Sequence, residues 1–120
     1  MADLKTISLA LLGSTTGVDM KTVAATTLFT VPVGQTAYIT HVVIRDPSAS
    51  MAGGTDYDFT TWRQAVDLST LTTLGTDYIV LDNDNTKYTE QVTTTAFQIT
   101  VVTGTTAACT ATIDVFGFLA

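Results

Sequence analysis

The sequence predicts an all-β chain, an antiparallel β-sandwich of jelly-roll type with about eight strands. Three observations carry this. No stretch sustains the 3.6-residue apolar period of a helix. Short alternating or apolar runs recur at roughly ten-residue spacing, divided by Gly, Pro, Asn and Asp. Threonine fills more than one position in five, and its β-branched side chain suits a pleated, half-buried surface. At 120 residues the chain is one domain, long enough to close a core without disulfide staples.

Residues 4–12 alternate loosely, with Ile7, Leu9 and Leu11 on one face. They read as an edge strand or an extended N-terminal arm over 1–17, ahead of a sandwich domain over 18–120. Gly13 to Gly17 reads as a loop, and Met20 to Ala24 as a weak strand. The most β-prone stretch is Thr27 to Asp46, two strands at 27–31 and 36–45 around a turn. Pro32 suits the second position of a type I turn and Gly34 the fourth. Lacking an N–H, Pro32 belongs at an edge or a corner. Strict alternation in the second strand would point Tyr38, Val42 and Ile44 one way, and Ile39, His41 and Val43 the other. Both faces are partly apolar, so packing partners are expected on both sides.

Asp46-Pro47 ends that strand. Ser48 to Thr55 is a small-residue loop. Tyr57, Phe59 and Thr61 share a face of the next strand, and Ala65 to Leu68 reads as another with a turn at Ser69. Asp77 to Asp82 places Tyr78 and Val80 opposite Ile79 and Leu81. Asn83-Asp84-Asn85 is a turn, and Tyr88 to Val92 begins a further strand. Residues 95–103 alternate cleanly, with Phe97, Ile99 and Val101 on one face, and Gly104 is expected to close a hairpin. In the final strand, 106–119, Ala107, Cys109, Ala111, Ile113 and Val115 oppose Thr110, Thr112 and Asp114.

Composition narrows the role. Charged residues are only 13% and hydrophobic residues 46%, with a mean hydropathy of +0.35. Few charges are left to block edge-to-edge pairing. The physical implication is a subunit whose apolar surface is covered by copies of itself or by a partner. Tyr38, Val42 and Ile44, together with Phe116 and Phe118, are the expected oligomer contacts. The net charge is −6, and Lys5, Lys21, Arg45, Arg63 and Lys87 are scattered, so no nucleic-acid footprint is present. No segment reaches transmembrane length.

Chemistry is not expected. His41, the one histidine, sits mid-strand with no nucleophile and carboxylate nearby in sequence. A zinc site needs several His or Cys ligands, and only His41 and Cys109 exist; Cys109 reads as a small buried hydrophobe. Asp56 with Asp58, and Asp82 with Asp84, have calcium-loop spacing. The latter run has Lys87 where a calcium loop wants glycine and Thr93 where it wants Glu. Trp62, Tyr57, Tyr78 and Tyr88 are candidates for a sugar-stacking platform, or for core and interface anchors. No cofactor, metal or catalytic residue is assigned.

The stretch Leu28-Phe29-Thr30-Val31-Pro32-Val33-Gly34-Gln35-Thr36-Ala37-Tyr38-Ile39 resembles a Val-Pro-x-Gly-x-Thr corner found in small virion proteins of tailed bacteriophages. Ser48 to Phe59 and the ending Ala111 to Phe118 are similar to phage-encoded proteins of this size. The resemblance implies a structural component of a tailed-phage particle; the first reading places it on the capsid surface, assembled in the host cytoplasm. The form it implies first is a capsid decoration or cement protein, a homotrimer clamping the major capsid protein through residues 1–17. A tail, neck or head-fibre protein contacting host glycans, and a carbohydrate-binding module, are the alternatives.

Overall fold

The long strands Ala37–Arg45, Ala96–Thr103 and Thr110–Leu119 each have one apolar side, and two sheets close over those sides in the computed structural model. Residues 9–73, 76–82, 89–91 and 94–120 are described. The strands are β1 (Ala10–Asp19), β2 (Ala25–Thr30), β3 (Ala37–Arg45), β4 (Asp56–Phe59), β5 (Tyr78–Asp82), β6 (Thr89–Gln91), β7 (Ala96–Thr103) and β8 (Thr110–Leu119), and no helix occurs among the described residues. The first sheet has the order β1-β8-β3-β5, and the second β2-β7-β4. The short β6 shares one flank of β3 with β5, taking residues 37–39 while β5 takes 41–45. All pairings are antiparallel.

From β1 to β4 the chain passes from one sheet to the other at every step, and it does so again from β7 to β8. A bridge between Tyr57 and Val66 lays a further segment beside β4. Such wrapping of a folded ribbon around a barrel-like core is the jelly-roll arrangement. It corrects one expectation directly: Gly104 closes no hairpin, because β7 and β8 belong to different sheets. The chain there crosses the sandwich end so closely that a side chain on Gly104 would meet the Lys21 carbonyl.

The Pro32 corner also differs in detail. Gln35 N–H donates to the Pro32 carbonyl (3.2 Å), so Pro32 is the first residue of the turn. Gly34 is the third, at φ 80°, the positive value that a type II turn demands there. The corner carries the chain from β2 into the other sheet. Thr36 and Ala120 then exchange backbone hydrogen bonds of 2.8 and 2.9 Å.

Gly13 to Gly17 is strand, not loop. Two register shifts against β8, at Leu11/Gly13 and Thr15/Val18, absorb the extra residues as bulges. Met20 to Ala24 is bend instead of strand, because Asp19 Oδ1 accepts the N–H groups of Lys21 (2.8 Å) and Thr22 (3.1 Å), a turn-forming competition with any ladder. Ala65 to Leu68 contributes only the Val66 bridge. The expected turn at Asn83 to Asn85, and Tyr88 and Val92, lie outside the described residues.

The core lies between the sheets. Ala111, Ile113 and Val115 of β8, with Ile39, Val42 and Ile44 of β3, face Phe97, Ile99 and Val101 of β7 and Tyr57 and Phe59 of β4. Each fully buried apolar side chain contributes about 1.5–3 kcal/mol over its exposed state. Tyr57 carries a polar tip into this core and donates it to the Met20 carbonyl (2.7 Å). Burial, the largest influence, pushes that phenol up to about 12.

The phase of β3 is the main departure from the sequence reading. Against β8, Ile39 pairs with Gly117 but His41 pairs with Phe116. Thr40 and His41 therefore together oppose one residue, and this bulge inverts the alternation after it. Ala37, Ile39, Val42 and Ile44 are buried, whereas Tyr38, Thr40, His41, Val43 and Arg45 are only partly covered. The expectation that Tyr38, Val42 and Ile44 share an outward face is corrected. Val42 and Ile44 are wholly buried in the chain's own core and cannot meet another subunit.

Two substitutions test this packing. A Cβ on Gly117 would run into the Tyr38 carbonyl oxygen beside the bulge. Gly117→Ala is expected to cost about 1–3 kcal/mol by overpacking. Tyr57→Phe strips the hydrogen bond from a buried carbonyl and is expected to cost about 1–3 kcal/mol. Urea denaturation should show lower midpoints with unchanged slopes.

Candidate interaction surface

The outward sides of the two sheets differ in kind. On the second sheet, Thr27, Thr60 and Gln98 bond to one another: Gln98 Nε2 donates to Thr27 Oγ1 (3.0 Å), and Gln98 N–H to Thr60 Oγ1 (3.0 Å). Asp56 and Asp58 stand on the same face, opposite the inward Tyr57 and Phe59 of β4. It is a polar surface of hydroxyls, an amide and carboxylates, with Asp56 Oδ1 itself shielded.

The first sheet presents rings. Tyr38 stacks on its cross-strand partner Phe118, with centroids 4.9 Å apart. His41 stacks on Phe116 at 4.7 Å and within 9° of parallel. Cross-strand aromatic pairs of this kind stiffen a sheet. The bulge brings the second pair into being, since it turns His41 outward onto Phe116; Thr40 Oγ1 lies 3.0 Å from His41 Nδ1 and donates to the Phe116 carbonyl (3.3 Å). Leu11, which pairs with Phe116 from β1, and Tyr78 and Val80 of β5 widen the patch; all three are more than half exposed.

A polar clamp closes one end of this face. Asp114 accepts from Ser14 Oγ (2.6 Å) on β1 and from Arg45 Nε (2.9 Å) on β3, so one carboxylate ties three strands. Burial pushes the Asp114 carboxyl up, but the hydrogen bonds from Arg45 and Ser14 and the Arg45 charge outweigh it and hold it below the ordinary aspartate range. Arg45 also reaches Asp46 (2.6 Å) at the surface, a pair worth little in water.

Of the five expected contact residues, Tyr38, Phe116 and Phe118 share this outer face, and Val42 and Ile44 do not. The other sequence candidates do not assemble. Trp62 is buried, edge-on to Phe59 and Phe97, and Tyr57 is in the core, so no platform forms with the exposed Tyr78; Tyr88 lies outside the described residues. Cys109 is buried with its thiol on the Ala49 carbonyl (3.3 Å). Asp58 Oδ1 accepts the Ala65 N–H (2.8 Å) and holds Ala65 at φ 56°, which is a structural task. Burial first, and then the Asp58 charge, raise the Asp56 carboxyl. Among the described residues no group of three His, Cys, Asp or Glu could hold a metal. Asp84 and most of the calcium-like run lie outside them.

No protein-family model and no curated protein matches the chain. Its fold is similar to that of a chain in the solved structure titled "Cyanophage Pam1 capsid asymmetric unit", with a TM-score of 0.52 and 17% identity. The match covers 92% of this chain and 83% of the other, so nearly the whole sandwich is shared.

The clamp sets an acid dependence. Because the folded Asp114 carboxyl titrates below its unfolded value, its contribution is complete above the unfolded value. It is lost as pH falls through the folded one. Asp114→Asn should lower the thermal midpoint at neutral pH and flatten the acid limb of stability. Asp56, raised instead of lowered, has the opposite sign, so Asp56→Asn should raise the midpoint at neutral pH. Thermal melts across an acid-to-neutral series check both.

Proposed function

We propose that this chain is a structural protein of a bacteriophage virion: a capsid decoration protein that binds the outside of the shell as a homo-oligomer and adds buried area between major capsid subunits. The observation that carries the reading is the contrast between its two sheet faces. A polar threonine–glutamine face suits solvent, whereas a face bearing stacked rings and exposed aliphatic side chains suits a protein partner. The fold shared with a chain of a phage capsid asymmetric unit supports the same setting.

The mechanism is mechanical. Tyr38, Phe116 and Phe118 make the contact between copies, arranged as a trimer. The β1 side of the face, with Leu11, reaches the major capsid protein; residues 1–8 of the expected clamp lie outside the described residues. A stable contact buries on the order of 1,600 Å², and many such contacts over a shell resist its expansion. Rings already stacked in pairs lose little side-chain freedom on docking, which favours them as anchors. The carbohydrate-module alternative is weakened because Trp62 and Tyr57 lie inside the sandwich.

Purified protein should scatter light as about three times 12.7 kDa and co-sediment with expanded, undecorated phage heads. Phe118→Lys, with an unchanged circular dichroism spectrum, should lower that binding about tenfold or more, as loss of an interface anchor does. A monomer that ignores heads would overturn the reading. Binding to tails in place of heads would move the protein to the tail.

A further inference from the structure

The free edges of the two sheets are not equally protected. On the first sheet β1 is broken by two bulges. On the second sheet β2 has a register shift between Thr27 and Phe29, and β4 is flanked by the Val66 bridge. Bulges and covering segments are how sheets avoid joining edge to edge. β5 has neither. Its register against β3 is unbroken from Tyr78 to Asp82, it carries no Lys, Arg or Pro, and among the described residues no strand lies beyond it.

The direction of its backbone groups follows from one bond. Asp46 N–H donates to the Asp77 carbonyl (3.2 Å), one step beyond the Arg45–Tyr78 pair. In an antiparallel ladder hydrogen-bonded and non-bonded pairs alternate. Ile79 and Leu81 therefore bond inward to β3, and Tyr78, Val80 and Asp82 turn their N–H and C=O groups to the free edge. The Tyr78 and Val80 side chains are exposed, while Leu81 is buried.

We propose that this edge is a self-association site: β5 pairs antiparallel with β5 of a second copy across a two-fold axis at Val80. The chemistry of the strand selects that occupant and register. About Val80, Tyr78 falls opposite Asp82 of the other copy, so the two carboxylates lie at opposite ends and never meet. Val80 faces its own equivalent, an apolar pair. The three outward residues of each copy supply matched donors and acceptors throughout, and no buried polar group is orphaned. The outer faces of the two first sheets become one continuous surface.

A contact of five residues per copy is far smaller than the ~1,600 Å² of a stable complex. It works laterally, between copies already held side by side, where effective concentration replaces affinity. It uses β5 alone, whose Tyr78 and Val80 border the ring-bearing face, and it rests on the proposed assembly only for the closeness of the copies.

Cysteine trapping of the purified full chain tests it. Residues facing each other in a hydrogen-bonded antiparallel pair have Cα atoms about 5.5 Å apart, within disulfide reach. Val80→Cys should therefore form disulfide dimers under mild oxidation about tenfold or more faster than Val23→Cys, an exposed bend position away from β5, as proximity requires. Tyr78→Cys, displaced from its own equivalent by four residues, should behave like the Val23 control. The unaltered chain, whose Cys109 is buried, should stay uncrosslinked. Trapping of Val80→Cys no faster than the control overturns the proposal. So does equally fast trapping at Tyr78, which requires another register.

Discussion

The structure depends on one extra residue in β3. Thr40 and His41 both stand opposite Phe116, and this bulge decides which side chains are inside. Before it, Ala37 and Ile39 enter the core; after it, Val42 and Ile44 do. Without it, an unbroken alternation starting from Ile39 would place Thr40, Val42 and Ile44 in water and His41 and Val43 in the core. The cost of burying an imidazole among Ile99, Ile113 and Phe97 would replace the gain of burying two aliphatic side chains. The bulge turns a strand with apolar residues on both sides into one with a uniform inner face and a ring-bearing outer face.

The outer face inherits its character from that choice. His41 can stack on Phe116 only because the bulge points it outward, and Tyr38 on Phe118 lies on the near side of the same irregularity. Gly117, buried between these rings and Ile39, leaves room for the Tyr38 carbonyl. The Ser14–Asp114–Arg45 clamp then fixes β1, β8 and β3 against one another at the far end. An apolar, clamped face opposite a hydroxyl-rich one leaves the sandwich with two unlike sides.

Much of this was legible in the sequence. Period-two patterning located β5, and it located β7 and the Thr110–Leu119 part of β8 with the correct inner faces, because Phe97, Ile99, Val101, Ala111, Ile113 and Val115 alternate without interruption. Ala107, expected on that inner face, is exposed and precedes the strand. Pro32 marked a corner because a residue without an N–H cannot sit mid-ladder. What stayed hidden was set by cross-strand register, which one strand's sequence does not contain. The Thr40-His41 doublet, two polar residues in succession inside an apolar strand, was the available sign of the bulge, and strict alternation concealed it. Gly104 looked like a hairpin turn because local chemistry does not say which sheet receives the next strand. The sequence leaves Trp62 open between a sugar platform and a core anchor, because its edge contact with Phe97 joins parts of the chain far apart in sequence.

The most direct measurement is thiol reactivity along β3. Single cysteines at positions 38 to 45 would be labelled in the folded protein, where Cys109 is protected by burial. The account predicts labelling at 41 and 43 many times faster than at 42 and 44, a pattern whose phase changes at Thr40. Uninterrupted alternation, with 38, 42 and 44 reactive and 39, 41 and 43 protected, would contradict it.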